Sequence, residues 1–444
     1  MKTLMIYGAT GYTGRMAAEH AKAAGINLVL AGRSEAPLTE LATKLGTGYR
    51  VFALDYDEAI DAALSGISVL LNCAGPYLRT AEPLIKAAIR CGVDYLDTAA
   101  ELDSYRLAEA FDEEAKAAGV MLLPGSGGSV AMLGSLAGHA AQRVADPVQI
   151  RIALHVTGSM SRGSVISATE NMTADCFRLI GGKLVGRRPE ELRDFDFGDG
   201  PRSSFPVTLP DLLTMHRATG VPDIETYVHV SGGGFPQGDL ATLPDGPTAE
   251  QREANRYQAS VEVTGADGTI VREVLDTVNG YTFTSMAAPE AARRVLAGER
   301  RPGFQTPAGV FGNGFAETIA DTRISDATEV PPSDRKYVMT EAVEITTFRL
   351  AAGLTMKRFI AANRDIDAWL VDQPGFISRR ICQREDGTIV DVLVWASAAA
   401  GRKAAAGVVT EIAGSPVHAA IDQSTVDWSV SSVSHALQTG SKRH

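Results

Sequence analysis

Short apolar runs recur through the first 125 positions, and the segments between them carry apolar residues at helical spacing. Thr3–Tyr7, Asn27–Ala31, Arg50–Leu54, Val69–Cys73, Val93–Leu96 and Val120–Leu123 read as strands. Tyr12–Ala24, Pro37–Leu45, Asp57–Leu64, Thr80–Cys91 and Glu101–Ala118 read as helices. The strands are nearly continuous in apolar residues, the pattern of a parallel sheet covered on both faces. Gly25, Gly92 and Gly119 stand where a helix must end before the next strand. The expected fold of this region is α/β, an open doubly wound parallel sheet.

After Pro124 the rhythm changes. Val148–Val156 alternates, and Gln258–Thr264 and Thr269–Thr277 flank a turn at Gly265-Ala266-Asp267-Gly268. Helical spacing at Gly163–Ile180 and Pro289–Ala297 lies among them, so residues 126–301 read as an inserted α+β domain. Residues 302–325 are expected to return the chain to the first domain. Residues 326–339 are a linker by composition, with paired prolines and charges. Beyond it, residues 340–437 show the order βαββαβ of a ferredoxin-like domain. Its parts are Glu341–Arg349, a helix over Leu354–Val371, a hairpin of Ile377–Gln383 and Ile389–Trp395, a helix over Ala398–Ile412, and Val426–Val433.

Composition narrows the partners. The chain has 444 residues, 45% hydrophobic and 21% charged, with a net charge of −11. That acidity argues against a nucleic-acid or anionic-membrane partner. Four dispersed cysteines without C-x-x-C fit reduced thiols rather than disulfides or zinc. No apolar run reaches the ~20 residues of a membrane span. A cytoplasmic protein without a metal site is expected.

The stretch Gly8-Ala9-Thr10-Gly11-Tyr12-Thr13-Gly14 joins the first strand to the first helix. Gly8 permits the sharp turn, Gly11 lets backbone approach a pyrophosphate, and Gly14 lets helix pack close to strand. The helix N-terminus then offers N–H groups to the phosphates. At the end of the second strand, where an NAD site places an acid, the chain has Arg33 and Ser34, suited to a 2′-phosphate. Asp55, after the third strand, is an adenine-side candidate. NADP is the expected cofactor.

With these segments, Asn72-Cys73-Ala74-Gly75-Pro76-Tyr77 and Tyr95-Leu96-Asp97 in order, the first ~330 residues resemble the saccharopine dehydrogenase-like reductases. The likeness is greatest to the branch containing trans-acting enoyl reductases. The resemblance implies a Rossmann domain, an inserted domain closing a cleft, and NADPH-dependent reduction. It also places Asn72, Ala74, Gly75 and Pro76 at the cofactor's nicotinamide half. The family's D-x-x-G-E appears as Asp97-Thr98-Ala99-Ala100-Glu101, with Ala100 in place of Gly. The tail, on Gln373-Pro374-Gly375-Phe376 and Trp395-Ala396-Ser397, resembles antibiotic-biosynthesis monooxygenase-like domains. Those pair across a dimer, so a homodimer is expected.

Ligands of a doubly wound sheet lie beyond the carboxyl ends of its strands. There Tyr77 can donate a proton or pack as a ring, and Asp97 and Glu101 can act as acids, although Asp97 as a helix cap is the better reading. Arg79 and Ser126 are substrate-side candidates. In the tail, Trp369, Trp395 and His435 can line a cavity or form core. No Tyr is followed four positions later by Lys, and H-E-x-x-H, G-x-S-x-G and Walker motifs are absent. The leading expectation is hydride transfer to a C=N or activated C=C bond of a small molecule. The alternatives are a non-catalytic NADP(H) sensor, or a tail that acts as a cofactor-independent monooxygenase or ligand-binding barrel.

Overall fold

In the computed structural model the described residues are 2–166, 176–188, 191–231, 245–327, 342–373, 375–384, 386–396 and 398–433. The chain divides into two compact units, 1–331 and 332–444. The greater part of the linker and the positions Pro374, Glu385, Ser397 and His435 lie outside the described residues.

The first unit opens with β1 (Leu4–Tyr7), β2 (Leu28–Gly32), β3 (Gly48–Val51), β4 (Val69–Asn72), β5 (Asp94–Asp97) and β6 (Met121–Leu123). All pair in parallel in the order 6-5-4-1-2-3, the doubly wound arrangement. The strands β1, β4, β5 and β6 are buried at every residue, which explains their unbroken apolar character. Helices α1 (Tyr12–Ala23), α2 (Glu35–Leu45), α3 (Asp57–Leu64), α4 (Tyr77–Cys91), α5 (Leu102–Ala110) and α6 (Asp112–Ala118) connect them. The expected single helix over Glu101–Ala118 is two, broken at Phe111, which closes one and opens the next.

Helix α7 (Gly128–Ala141) was not legible as a helix, because eleven of its fourteen residues are buried and no polar stripe marks a face. It packs on the second sheet, whose central strands are Pro147–Thr157, Tyr257–Gly265 and Ile270–Thr277. One continuous core joins its Leu133, Leu136 and Ala137 to Ile152 and Val261 of that sheet and to Ala17 of α1. The sheet is mixed: Asp223–Ser231 runs parallel to Pro147–Thr157, and the other central pairs are antiparallel.

The helix expected over Gly163–Ile180 is corrected at its end. Phe177–Ile180 is a strand, paired with Lys183–Gly186 through Gly181 and Gly182, both at positive φ. The helix expected from Pro289 begins at Gly280, so Pro289 is interior. Gly303–Phe304 adds a short parallel strand beside β6, whereas Arg323–Asp326 pairs with the second sheet rather than the first.

The second unit has a four-stranded antiparallel sheet in the order Phe376–Gln383, Ile389–Trp395, Ala342–Leu350, Ile421–Ser432. Helices Met356–Ala362, Arg364–Val371, Ala398–Thr410 and Pro416–Ala420 share a core with it, in which Phe348, Phe359, Leu393 and Trp395 are buried.

Candidate functional site

The loop from β1 to α1 is built by backbone contact. Gly8 sits at φ +79°, and a Cβ there would lie 2.8 Å from Ala74, so the glycine loop and the 74–76 loop touch. A Cβ on Gly14 would lie 2.2 Å from the Gly8 carbonyl oxygen, which makes Gly14 the condition for α1 starting where it does. No side chain caps α1, and its first turn holds no acid, so its N–H groups face the loop as an anion site. Ala9 is buried, with its N–H donated to the Ala31 carbonyl, and it shapes the turn; Thr10 and Thr13 are half-buried.

Tyr12 is placed differently from the expectation of a cofactor contact. Its ring meets Tyr281 edge-on at 5.5 Å, and its hydroxyl donates to the Pro247 carbonyl and accepts from Arg252 at 2.8 Å. The side chain therefore clasps the inserted domain, leaving the backbone of Tyr12 for the phosphate loop. Arg33, Ser34 and Asp55 are all exposed at the carboxyl edge of the sheet, and Arg33 makes no ion pair among the described residues. An exposed guanidinium in that position fits a 2′-phosphate.

Asn72 is fully buried. Its Oδ1 accepts from the Ala74 N–H at 3.0 Å, and its Nδ2 donates to Thr80 Oγ1 and to the Tyr95 hydroxyl. Thr80 in turn donates to the Ala74 carbonyl at 2.7 Å. Asn72 thus sets the path of Ala74-Gly75-Pro76, which includes a cis Gly75–Pro76 bond, and its own polar atoms are spent. In this structure Asn72 shapes the loop that is expected to meet the cofactor.

Asp97 is likewise a scaffold. One oxygen accepts from the Ala99 and Gly125 N–H groups at 3.0 and 2.8 Å, and the other from the Tyr95 hydroxyl at 2.9 Å. Burial lifts its carboxyl to about 6, against the lowering effect of those donors. It caps no helix: Glu101 occupies the N-cap position of α5, buried, with Oε2 accepting from the Ala100 N–H. Ser126 is fully buried, and its hydroxyl donates to the Asp97 carbonyl at 2.9 Å, tying the loop after β6 to β5. Arg79 is exposed at the first turn of α4.

Tyr77 lies beside these groups with its hydroxyl 2.6 Å from Thr98 Oγ1. Burial holds its phenol far above the ordinary range, so it stays protonated, and burial lifts the neighbouring Cys73 thiol to about 12. Tyr77, Thr98, Cys73, Asp97 and Glu101 therefore form one cluster at the ends of β4 and β5. A neutral phenol in a hydrogen-bonded pair can donate to an atom that gains charge.

Tyr95 and Thr98 stand in motifs of the sequence without a role of their own being legible there, and Tyr105 carries no motif. Tyr105 donates to the Ala99 carbonyl at 2.7 Å and abuts Gly125, where a Cβ would lie 2.0 Å from its hydroxyl. Asp211, which opens helix Asp211–Thr219, was missed as well. It is fully buried, with no hydrogen-bond partner outside its own residue among the described residues, and burial lifts its carboxyl to about 7.

Residues 4–123 match the saccharopine dehydrogenase NADP binding domain. NADP(H) is accordingly the nucleotide of this site, and the matches support an oxidoreductase. The chain is 34% identical over 106 residues to the trans-acting enoyl reductases of Mycobacterium tuberculosis and Mycobacterium leprae. That stretch is 22% of this chain, and the chain spans about a quarter (25%) of the length of those curated relatives. Among solved structures, the apo saccharopine dehydrogenase (L-Glu forming) of Saccharomyces cerevisiae superposes with a TM-score of 0.52 at 14% identity. It covers 73% of this chain and 99% of its own, a likeness of fold. No described helix is long and apolar enough to cross a membrane.

Proposed function

We propose that this chain is a cytoplasmic NADPH-dependent oxidoreductase that reduces a C=N or activated C=C bond of a small-molecule substrate. The observation that carries the reading is the pair of buried Tyr77 and half-buried Thr98 at the strand ends, one loop away from the Ala74 backbone that packs on Gly8. Gly8, Gly11, Gly14 and the start of α1 would hold the pyrophosphate, Arg33 and Ser34 the 2′-phosphate, and Ala74-Gly75-Pro76 the nicotinamide half. NADPH supplies the hydride when bound. Tyr77 donates its hydrogen bond or proton to the substrate atom that gains charge, and Thr98 fixes the phenol's orientation. The inserted sheet, clasped to α1 through Tyr12 and Arg252, forms the other wall of the cleft and excludes water.

The order βαββαβ and the strand order of residues 342–433 support a ferredoxin-like tail, and its sheet is the surface on which we place a homodimer. The test is NADPH consumption by the full chain across a panel of imines, enoyl thioesters and ketones. Turnover with a C=N or C=C member, reduced about 100-fold or more by Tyr77→Phe at unchanged NADPH affinity, is the expected result. NADPH binding without turnover across the panel favours the sensor reading instead.

A further inference from the structure

The second unit holds a cavity of about 500 Å³ between its sheet and its helices, open to solvent on one side and within the range of small-molecule sites. Phe348, Phe359, Leu393 and the ring of Trp428 make its walls apolar and aromatic. Its polar groups are unequal. Arg379 is spent: its nitrogens donate to Asp391, to Asp367 at 2.8 Å and to the Asn363 Oδ1 at 2.7 Å, so two carboxylates face one guanidinium. Arg402 lies exposed at the rim.

Glu344 is only 6% exposed and lines the same cavity from the central strand. Its Oε1 accepts from the Trp428 indole N–H and its Oε2 from the Trp395 indole N–H, each at 2.7 Å. No cation is paired with it among the described residues. Two neutral donors orient the carboxylate without neutralising it, and each oxygen retains a lone pair. Burial raises its pKa, opposed by the two indole donors and by the more distant Arg379 charge. Trp428 lines the cavity beside it, an aromatic ring to which a cation is attracted, and Asp391 adds negative potential.

From this arrangement we propose that the cavity is a binding site for a protonated amine with an apolar or aromatic body, its ammonium on Glu344 and against Trp428. An anionic ligand would meet unneutralised carboxylate, and a neutral one would leave it without a counter-ion. The site does not rest on the nucleotide reading, and it stands or falls separately from it.

The three tryptophans of the chain, Trp369, Trp395 and Trp428, all lie in this unit, so tryptophan emission, excited beyond the tyrosine band, arises from it alone. Titration with phenylbutylamine, phenylbutanol and phenylbutyrate compares one body with three head groups. The amine is expected to change the emission saturably and to bind about tenfold or more tightly than the alcohol, with the carboxylate weakest. Glu344→Gln is expected to bring amine and alcohol within about twofold of each other. Equal binding of amine and alcohol by the unaltered chain, tighter binding of the carboxylate, or no saturable change with any probe overturns the proposal. Should Glu344→Gln fail to fold, the head-group series on the unaltered chain still decides.

Discussion

Two regions of this molecule each turn on a buried carboxylate with several donors, and they use it in opposite ways. Asp97 gathers the Ala99 and Gly125 N–H groups and the Tyr95 hydroxyl, all from its own scaffold, and ties β5 to the loop after β6. Glu344 also takes two short hydrogen bonds, one from the core indole of Trp395 and one from Trp428, which lines the cavity and is 43% exposed. Burial raises the pKa in both cases. What separates them is their setting: Asp97 sits among its own scaffold, whereas Glu344 lines a cavity of about 500 Å³. Burial and a shifted pKa alone do not mark a ligand site; a group becomes one when its unfilled valence faces room for a guest.

The largest effect that would break this comparison is on stability. Asp97→Ala strands two backbone N–H groups and a hydroxyl in the core, and each unmet donor costs about 1–3 kcal/mol. A loss of roughly 3–5 kcal/mol in denaturant unfolding of the first unit is expected. A variant as stable as the parent would show that Asp97 is not a scaffold, and its role as an acid would return.

Asp211 provides the counter-case within the same unit, a buried carboxylate with no donor outside its own residue and no counter-ion among the described residues. Its carboxyl is raised from 3.8 to about 7, so the folded state holds a proton that the unfolded state releases. The stability it contributes is complete below pH 3.8 and is lost as pH rises through about 7. By pH 8 the loss is about 2–4 kcal/mol. Asp211→Asn keeps the shape and removes the titration. It is expected to recover that loss at pH 8 and to flatten the decline between about pH 4 and 7. An unchanged pH profile would show that the carboxylate is met in a way the geometry does not reveal.

The contrast also explains what was legible in the chain. The parallel sheet and glycine loop were readable because their constraints are local: unbroken apolar runs for strands buried on both faces, and Gly8 and Gly14 where a Cβ has no room. Asn72 and Asp97 were found as positions but their roles were not, since only the fold shows that their polar atoms are consumed inside. Helix α7 escaped because a helix buried on nearly every side has no amphipathic period. Phe177–Ile180 was misread as helix because a four-residue strand closed by Gly181-Gly182 is too short to impose its own period. Thr98, Tyr105, Asp211 and Glu344 matter through neighbours distant in sequence, and Trp428 was not singled out in a stretch of alternating polar residues.

Arg33 tests the nucleotide region at a smaller scale. Arg33→Ala removes an exposed guanidinium with no internal partner, so its stability effect should be within about 0.5 kcal/mol. Affinity for NADPH should fall about 10–100-fold while affinity for NADH stays unchanged, measured by direct titration of both. Equal losses for the two nucleotides would place Arg33 away from the 2′-phosphate.

The smallest effect sharpens the comparison from the other side. Glu344→Gln should cost the second unit about 1 kcal/mol or less, far below the loss at Asp97. The amide oxygen keeps one indole N–H, and the Trp428 N–H can turn to water because that ring is partly exposed. Removing an uncompensated buried charge offsets much of the lost hydrogen bond. Thermal melts of the full chain followed by tryptophan emission read this unit alone, since every tryptophan lies within it. A loss as large as that at Asp97 would make Glu344 a scaffold of the same kind, and its oxygens would then be no more available to a guest than those of Asp97.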